Sequence, residues 1–160
     1  MEIIAVVSRK GGVAKTTTAH ALGAGLAKRH NRVLYVDLDG QGNLSFTMNA
    51  DTEEVGSMEL LTGSATASEA IQQTAQGDII AGSARLSAAD ITLTDTGKEY
   101  RLREALETVK RKYDYVIIDT PAALNILTVN ALIATTGGVI IPVMAIARSE
   151  ERRVGKECRS

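Results

Sequence analysis

A glycine loop between a strand and a helix constrains the fold of this chain more than any other feature. An apolar run at residues 3–7 leads directly into Ser8-Arg-Lys-Gly-Gly-Val-Ala-Lys-Thr-Thr17, and residues 15–28 then carry an apolar stripe at helical spacing. Glycines allow successive backbone N–H groups to turn towards one anion, and the N-terminus of a helix adds partial positive charge. This order of elements predicts a phosphate-binding loop.

Two residues of the loop have predicted contacts with a nucleotide. Lys15 is expected to lie against the β- and γ-phosphates, and the Thr16 hydroxyl is expected to ligate Mg²⁺. The ordinary pattern G-x-x-x-x-G-K-[ST] is not met, because Arg9 and Ala14 occupy its two glycine positions. The alternative interpretation is a Gly-Gly turn before an amphipathic helix, and the matching strand and helix on either side disfavour it.

Carboxylates follow two other apolar runs. Asp37 and Asp39 lie at the end of the run at residues 32–37, and Asp119 ends the run at residues 115–119. The carboxyl ends of parallel strands border the ligand crevice. Phosphoryl transfer to water needs a metal near the phosphates and an oriented water, so these carboxylates are candidates for both tasks. The alternative left open is that both are polar strand ends beginning turns.

The remaining pattern is typical of an α/β fold. Predicted strands cover residues 3–7, 32–37, 115–119 and 138–143, with a weaker one at 78–81, and predicted helices cover residues 15–28, 55–61, 67–73, 99–112 and 125–134. The strand runs are continuous and β-branched, which suits strands buried on both faces. Their alternation with helices predicts a doubly wound, mainly parallel α/β sheet.

Composition argues against several other classes. The chain has 160 residues, of which 18 are basic, 19 are acidic and only 3% are aromatic. Because the chain is nearly neutral, its overall charge does not indicate nucleic-acid binding. The small number of aromatic residues argues against a surface on which bases stack. No apolar run approaches the ~20 residues that span a bilayer. The single cysteine, Cys158, supports neither a disulfide framework nor a cysteine-based metal cluster.

Three motifs in this order resemble the deviant Walker class of ParA/MinD ATPases. Residues 10–17 match its loop K-G-G-x-[GA]-K-[ST], and residues 37–43 match D-x-D-P-Q-G-N with Gly40 in place of the proline. Residues 119–124 resemble D-[TC]-P-P-S-L, with Ala122 and Ala123 in place of Pro-Ser. The likeness covers roughly residues 2–145, is greatest for ParA/Soj-type partition ATPases, and implies a P-loop NTPase fold.

The resemblance also implies roles for individual residues. The implied nucleotide-binding residues are Lys10, Gly11, Gly12, Val13, Ala14, Lys15, Thr16 and Thr17; the catalytic ones are Lys10, Lys15 and Asp39; and the metal-side ones are Thr16, Asp37 and Asp119. Lys10 is implied to reach across a dimer interface to the partner's nucleotide. Asp39 is implied to orient or activate the attacking water, while Asp37 supports the metal-water network.

The function implied is that of a DNA partition switch. Its cofactors are ATP and Mg²⁺, it forms a homodimer on ATP, and the dimer binds DNA non-specifically until a ParB-like partner triggers hydrolysis. The implied location is cytoplasmic, on the nucleoid. Two alternatives stay open. One is a MinD-like membrane-associated positioning ATPase, which needs a C-terminal amphipathic helix. The other is a non-hydrolysing nucleotide-binding scaffold, which Ala14, Gly40 and the Ala122-Ala123 pair make conceivable.

The last thirteen residues differ in character from the rest. Residues 148–160 hold five of the 18 basic residues, three of the 19 acidic residues and the single cysteine, so residues 1–147 carry 13 basic and 16 acidic residues and a net charge of −3. The segment resembles the conceptual translation of a short-read sequencing adapter. We therefore expect residues 1–147 to be the N-terminal part of a ParA-like ATPase domain, incomplete at its C-terminus, and residues 148–160 to be non-native. On that expectation the 160-residue chain is poorly soluble; hydrolysis is expected of the full-length protein and stays open for the truncated chain.

Overall fold

Six strands form one sheet in the computed structural model, which describes residues 1–143. The strands are β1 (Glu2–Val6), β2 (Val33–Asp37), β3 (Ile71–Thr74), β4 (Gly77–Ile80), β5 (Tyr115–Asp119) and β6 (Gly138–Ile140). Their order across the sheet is β3-β4-β2-β5-β1-β6, and every neighbouring pair is parallel except β3 with β4. The predicted mainly parallel α/β sheet is confirmed.

Helices connect the strands and cover both faces of the sheet. They are α1 (Lys15–Lys28), α2 (Asn43–Thr47), α3 (Ser57–Thr62), α4 (Ala67–Ala70), α5 (Ala89–Thr92), α6 (Arg101–Glu107) and α7 (Ile126–Ala134). Short 3₁₀ turns at Ala84–Ala88 and Lys98–Tyr100 precede α5 and α6. Helices α1 and α2 contribute to the apolar core on one face, and α3 to α7 contribute to the core on the other.

The two cores follow from the alternation of side chains along each strand. In β2, Leu34 and Val36 belong to the larger core, whereas Val33 and Tyr35 belong to the smaller one. All five residues of this strand are buried. A central parallel strand covered on both faces needs such a continuous apolar run, and that is why the sequence pattern identified it.

Helix α1 lies unusually close to the sheet at Gly23. A β-carbon built on Gly23 would lie 2.4 Å from the ring of Tyr35, far inside van der Waals contact. The Tyr35 hydroxyl donates a hydrogen bond to the carbonyl oxygen of His20, one turn earlier in the helix. The absence of a side chain at Gly23 therefore allows this helix to pack close to the sheet.

The register of the central strands fixes the edge of the sheet where chemistry can occur. Val6 of β1 and Asp37 of β2 both pair with Asp119 of β5, so the three strands end at the same level. The loops that follow them therefore share the carboxyl edge of the sheet, where ligands of doubly wound folds bind. This register places Asp37 next to Asp119.

The prediction of a helix over residues 67–73 is wrong in its second half. Helix α4 ends at Ala70, and Ile71 begins the edge strand β3, which pairs antiparallel with β4. The Gln72 side chain is held in place, because its Oε1 accepts from the N–H of Asp51 at 2.8 Å and its Nε2 donates to the Asp51 carbonyl at 2.7 Å. Strand pairing and these two bonds outweigh the weak helical pattern.

The remaining differences are smaller. The helix predicted over residues 99–112 is a 3₁₀ turn followed by α6, the strand predicted over residues 138–143 is shortened to β6, and helices α2 and α5 were not predicted. Among residues 1–143, no helix combines the length and apolar character needed to cross a membrane. The predicted boundary at residue 147 and the predicted non-native segment lie outside the described residues.

Candidate nucleotide-binding site

The glycine loop between β1 and α1 has an open, left-handed turn. Gly12 has φ 72°, and Ala14, which precedes the first residue of α1, has φ 60° and ψ 34°. β-Carbons built on Gly11 and Gly12 would meet no heavy atom of residues 1–143 within 4 Å. The loop backbone therefore faces free space at the N-terminus of a 14-residue helix, where a phosphate group fits.

The first two residues of α1 point towards the end of β5. Lys15 is buried, with 9% of its surface exposed. The Thr16 hydroxyl donates a hydrogen bond of 2.6 Å to Oδ2 of Asp119. Thr16 and Asp119 are 103 residues apart in sequence, and the sheet register brings them together.

Asp119 has a carboxylate oxygen without a partner. The residue is fully buried, and within residues 1–143 its Oδ1 is the buried side-chain polar atom that lacks a hydrogen bond. Burial above all, together with the nearby carboxylates of Asp37 and Asp39, raises the pKa of Asp119 to about 7, even though the Thr16 hydrogen bond and the charge of Lys15 act to lower it. A buried carboxylate with an unused oxygen next to a threonine hydroxyl is a donor set that suits Mg²⁺.

Asp37 is equally buried, and both of its carboxylate oxygens accept hydrogen bonds. Its Oδ1 accepts the N–H of Asp39 at 3.0 Å, and its Oδ2 accepts the N–H and the hydroxyl of Ser45 at 2.9 and 2.7 Å. Burial raises the pKa of Asp37, and these hydrogen bonds oppose the rise. Asp37 therefore has a rigid position beside Asp119.

Asp39 lies in the loop directly after β2 and is partly exposed. Its Oδ1 accepts the N–H of Gln41 at 3.0 Å, a turn that leaves its other oxygen available. A β-carbon built on the next residue, Gly40, would lie 2.8 Å from the Ser87 hydroxyl oxygen. Any larger residue at position 40 would have to displace that hydroxyl, which gives a physical reason for the departure from proline at this point of the motif.

Lys10 lies apart from this group. Its side chain is exposed, its N–H donates to the Ser8 hydroxyl at 3.2 Å, and within residues 1–143 it forms no ion pair. The structure therefore brings Thr16, Asp37 and Asp119 together next to Asp39, whereas the Lys10 side chain is exposed and takes no part in their hydrogen bonds.

The sequence did not predict a role at the site for two buried hydroxyl groups. Ser45 binds Asp37, and Thr120 donates to the carbonyl oxygen of Val6 at 2.8 Å, which ties the end of β5 to the start of the loop. Because Thr120 directly follows the candidate metal ligand Asp119, its place in the sequence could have marked it as a residue of the site. Ser45 is eight residues from Asp37, a spacing that matches no simple rule.

A cavity of about 600 Å³ lies elsewhere, among the amino ends of β2 and β4 and the residues Arg32, Lys112 and Tyr113. It includes none of the loop or carboxylate residues. Cavity size therefore does not identify the functional site here, because the phosphate loop is open to solvent on one side.

Fold and site together define a P-loop nucleotide-binding protein: a doubly wound parallel sheet with a phosphate loop at its carboxyl edge and a loop threonine bonded to a strand-terminal aspartate. A family model described as an AAA domain matches residues 1–151. The chain belongs to this AAA domain family. Its similarity to individual relatives confirms the likeness to ParA/Soj-type partition ATPases.

Individual relatives agree with this assignment. The chain is 43% identical to the sporulation initiation inhibitor protein Soj of Bacillus subtilis over 147 residues, which cover 89% of the chain and 58% of Soj. A solved structure of cobyrinic acid a,c-diamide synthase of Mycobacterium smegmatis, with bound ATP analogue and magnesium, is 39% identical to the chain. The match has a TM-score of 0.86 and covers 89% of this chain and 60% of the synthase. A plasmid partition protein from Borrelia burgdorferi is 28% identical with a TM-score of 0.81, over 92% and 68% of the two chains. The chain thus spans a little over half the length of Soj.

Proposed function

We propose that the protein is an ATP-dependent DNA partition switch that binds ATP with Mg²⁺, dimerises on ATP and hydrolyses it. The observation that carries this proposal is the hydrogen bond between Thr16 and Asp119 beneath an open glycine loop, with one Asp119 oxygen unused. A solved relative with bound ATP analogue and magnesium supports the choice of ligand.

The loop supplies the phosphate contacts. The glycine loop and the first turn of α1 offer backbone N–H groups as phosphate donors, and Lys15 adds a positive charge at the same end of the helix. Because Lys15 is already buried, it loses little conformational freedom when a nucleotide binds. The loop residues therefore bind and orient the triphosphate.

Thr16 and Asp119 are the residues that would hold Mg²⁺, with Asp37 supporting the surrounding water network. The ion would supply charge neutralisation for the phosphate oxygens during transfer. Asp119 would bind it through the oxygen that has no partner within residues 1–143. The Thr16 hydroxyl donates its proton to Asp119, and its oxygen keeps lone pairs with which it could ligate the same ion.

Asp39 places the attacking water, and Lys10 acts from the neighbouring protomer. Asp39 is the carboxylate of this edge that is not fully buried, so a water can reach it. The exposed side chain of Lys10 suits contact with the nucleotide of a second subunit. Non-specific DNA binding by the ATP dimer and release by a ParB-like partner rest on the likeness to Soj and to the plasmid partition protein.

Steady-state ATP hydrolysis by the protein expressed from its complete gene tests the proposal. We expect slow Mg²⁺-dependent hydrolysis that is lost in Asp39→Ala, and an ATP-dependent dimer in light scattering that is lost in Lys10→Ala. Equal and negligible hydrolysis by the wild type and Asp39→Ala would favour the non-hydrolysing scaffold. ATP-dependent sedimentation with anionic liposomes, without binding to DNA, would favour the membrane-associated positioning ATPase.

A further inference from the structure

A buried hydrogen-bonded junction lies behind Asp39. The Ser45 hydroxyl donates to Oδ2 of Asp37 at 2.7 Å, and the Ser45 N–H donates to the same oxygen at 2.9 Å. The Ser45 hydroxyl oxygen also accepts the N–H of Gly82 at 2.8 Å. One fully buried side chain at the start of α2 thus joins the end of β2 to the segment that follows β4.

The other oxygen of Asp37 sets the backbone of Asp39. Oδ1 of Asp37 accepts the N–H of Asp39 at 3.0 Å. Asp37 has 0% of its surface exposed, so water does not compete for these bonds. The direction of the Asp39 side chain follows its backbone, and that backbone is held by a carboxylate which Ser45 in turn holds.

Close packing leaves this junction little freedom to shift. A β-carbon built on Gly82 would lie 2.9 Å from Cγ of Asp37 and 2.9 Å from the carbonyl oxygen of Asp39. The backbone of Gly82 therefore lies directly against both aspartates. Removing the Ser45 hydroxyl would leave the Gly82 N–H without an acceptor and Asp37 with one donor fewer.

We infer that Ser45 is a positioning residue for ATP hydrolysis: through Asp37 it fixes Asp39 in the orientation in which that carboxylate places the attacking water. The inference rests on the proposed hydrolysis by Asp39. It is compatible with support of the metal-water network by Asp37, because a carboxylate has about four acceptor sites and the structure fills three of them.

Ser57 provides a matched control. It is a second buried serine at the same junction, and its hydroxyl donates to the main-chain carbonyl of Asp37 at 2.6 Å without touching the carboxylate. Ser57→Ala therefore removes a buried hydrogen bond of similar length next to the same residue. A purely structural role for Ser45 predicts that the two alanine variants behave alike.

Kinetics of the protein expressed from its complete gene separate the two roles. For Ser45→Ala we expect kcat to fall by about tenfold or more while the KM for ATP stays within about twofold, because misplacement of a catalytic group affects the chemical step rather than binding. Ser45→Thr keeps the hydroxyl but adds a methyl group at a fully buried position, so its melting temperature is measured first; where that matches the wild type, kcat is expected to return to within about threefold. Ser57→Ala is expected to lower the melting temperature and to leave kcat at 25 °C within about twofold.

Amide hydrogen exchange in the nucleotide-free protein gives a readout that does not depend on turnover. We expect Ser45→Ala to accelerate exchange at the Gly82 and Asp39 amides by at least about tenfold relative to Ser57→Ala, because only the first variant disturbs their acceptors. Should Ser45→Ala fail to fold, Ser45→Cys fills the same space with a weak donor and takes its place in both experiments.

The outcomes distinguish this inference from the proposed function. If the wild type and Asp39→Ala are equally inactive, the proposed hydrolysis fails. If the wild type is active and Asp39→Ala is not, but folded Ser45→Ala retains wild-type kcat, the role of Ser45 is overturned. Equal changes in kcat and amide exchange in Ser45→Ala and Ser57→Ala would also overturn it.

Discussion

The Thr16 hydroxyl donates a hydrogen bond of 2.6 Å to Oδ2 of Asp119, while Oδ1 of the same carboxylate has no partner within residues 1–143. An unused buried carboxylate oxygen costs free energy unless another group compensates it. The side chains of Lys15 and Thr16 approach it from α1, and Asp37 lies beside it on β2. This arrangement is better suited to a bound cation than to the protein alone.

Thr16 variants test that interpretation. We expect Thr16→Ala to weaken Mg²⁺-dependent ATP binding by about 10- to 100-fold, since loss of one oxygen at a metal site has effects of this order. Thr16→Ser keeps the hydroxyl and should bind within a few-fold of wild type. Titration with a fluorescent ATP analogue, with and without Mg²⁺, measures both. Identical Mg²⁺ dependence in Thr16→Ala and wild type would show that Thr16 is not a ligand.

The raised pKa of Asp119, about 7, predicts that protons compete with Mg²⁺. Below pH 7 the carboxyl group is mostly protonated, so Mg²⁺ affinity should fall as the pH decreases from 8 to 6, by up to about tenfold for each pH unit below the pKa. Isothermal titration of the ATP-bound protein with Mg²⁺ at several pH values measures this. Asp119→Asn, which cannot titrate, should show weak binding with little pH dependence.

The raised pKa of Asp119 also predicts how the stability of the metal-free protein depends on pH. Between the ordinary aspartate pKa near 4 and the folded-state value of about 7, the folded state keeps a proton that the unfolded chain has lost. The free energy of unfolding should therefore decrease as the pH rises through this window, by at most about 4 kcal/mol, and level off above it. Urea denaturation of wild type and Asp119→Asn gives the contribution as the difference between their pH profiles. A profile of Asp119→Asn parallel to that of wild type would contradict the assignment.

Much of the fold was predictable because its central elements have strong local patterns. Strand β2 is a buried apolar run, and α1 carries both an apolar stripe and a glycine that faces Tyr35. The edge strand β3 was missed, because its polar sequence becomes a strand only by pairing with β4. Local propensity is weak at such positions, and pairing with a neighbouring strand decides the structure.

The candidate site was predictable for the residues that belong to motifs. Thr16, Asp37 and Asp119 each follow a recognisable pattern, and the parallel register explains why they meet. Ser45 could not be predicted, because its contact with Asp37 depends on how α2 folds back after Gly42. That Oδ1 of Asp119 has no hydrogen-bond partner among residues 1–143 likewise depends on packing, which the sequence does not show.

Ala14 offers a test of strain in the phosphate loop. Its φ of 60° and ψ of 34° lie in the left-handed region, which costs a residue with a β-carbon about 1–2 kcal/mol. Ala14→Gly removes this cost but increases the entropy of the unfolded chain, so we expect a net stabilisation of about 0.5–1 kcal/mol. Ala21→Gly, at an exposed position inside α1, should instead destabilise by about 1 kcal/mol. Chemical denaturation measures both, and destabilisation by Ala14→Gly would show that the loop is not strained at this residue.

The two glycines in α1 give a pair of variants that are expected to change the stability of the protein in opposite directions. Gly23 has no room for a side chain, since a β-carbon would lie 2.4 Å from the Tyr35 ring, whereas a β-carbon on Gly25 meets nothing within 4 Å. Gly23→Ala must push the helix away from the sheet and should destabilise by about 1–3 kcal/mol. Gly25→Ala gains helix propensity and should stabilise by up to about 1 kcal/mol.

Because α1 also carries Lys15 and Thr16, the displacement in Gly23→Ala should weaken ATP binding, and Gly25→Ala should leave it unchanged. Equal stability and equal ATP affinity of the two variants would show that contact with Tyr35 does not set the position of this helix.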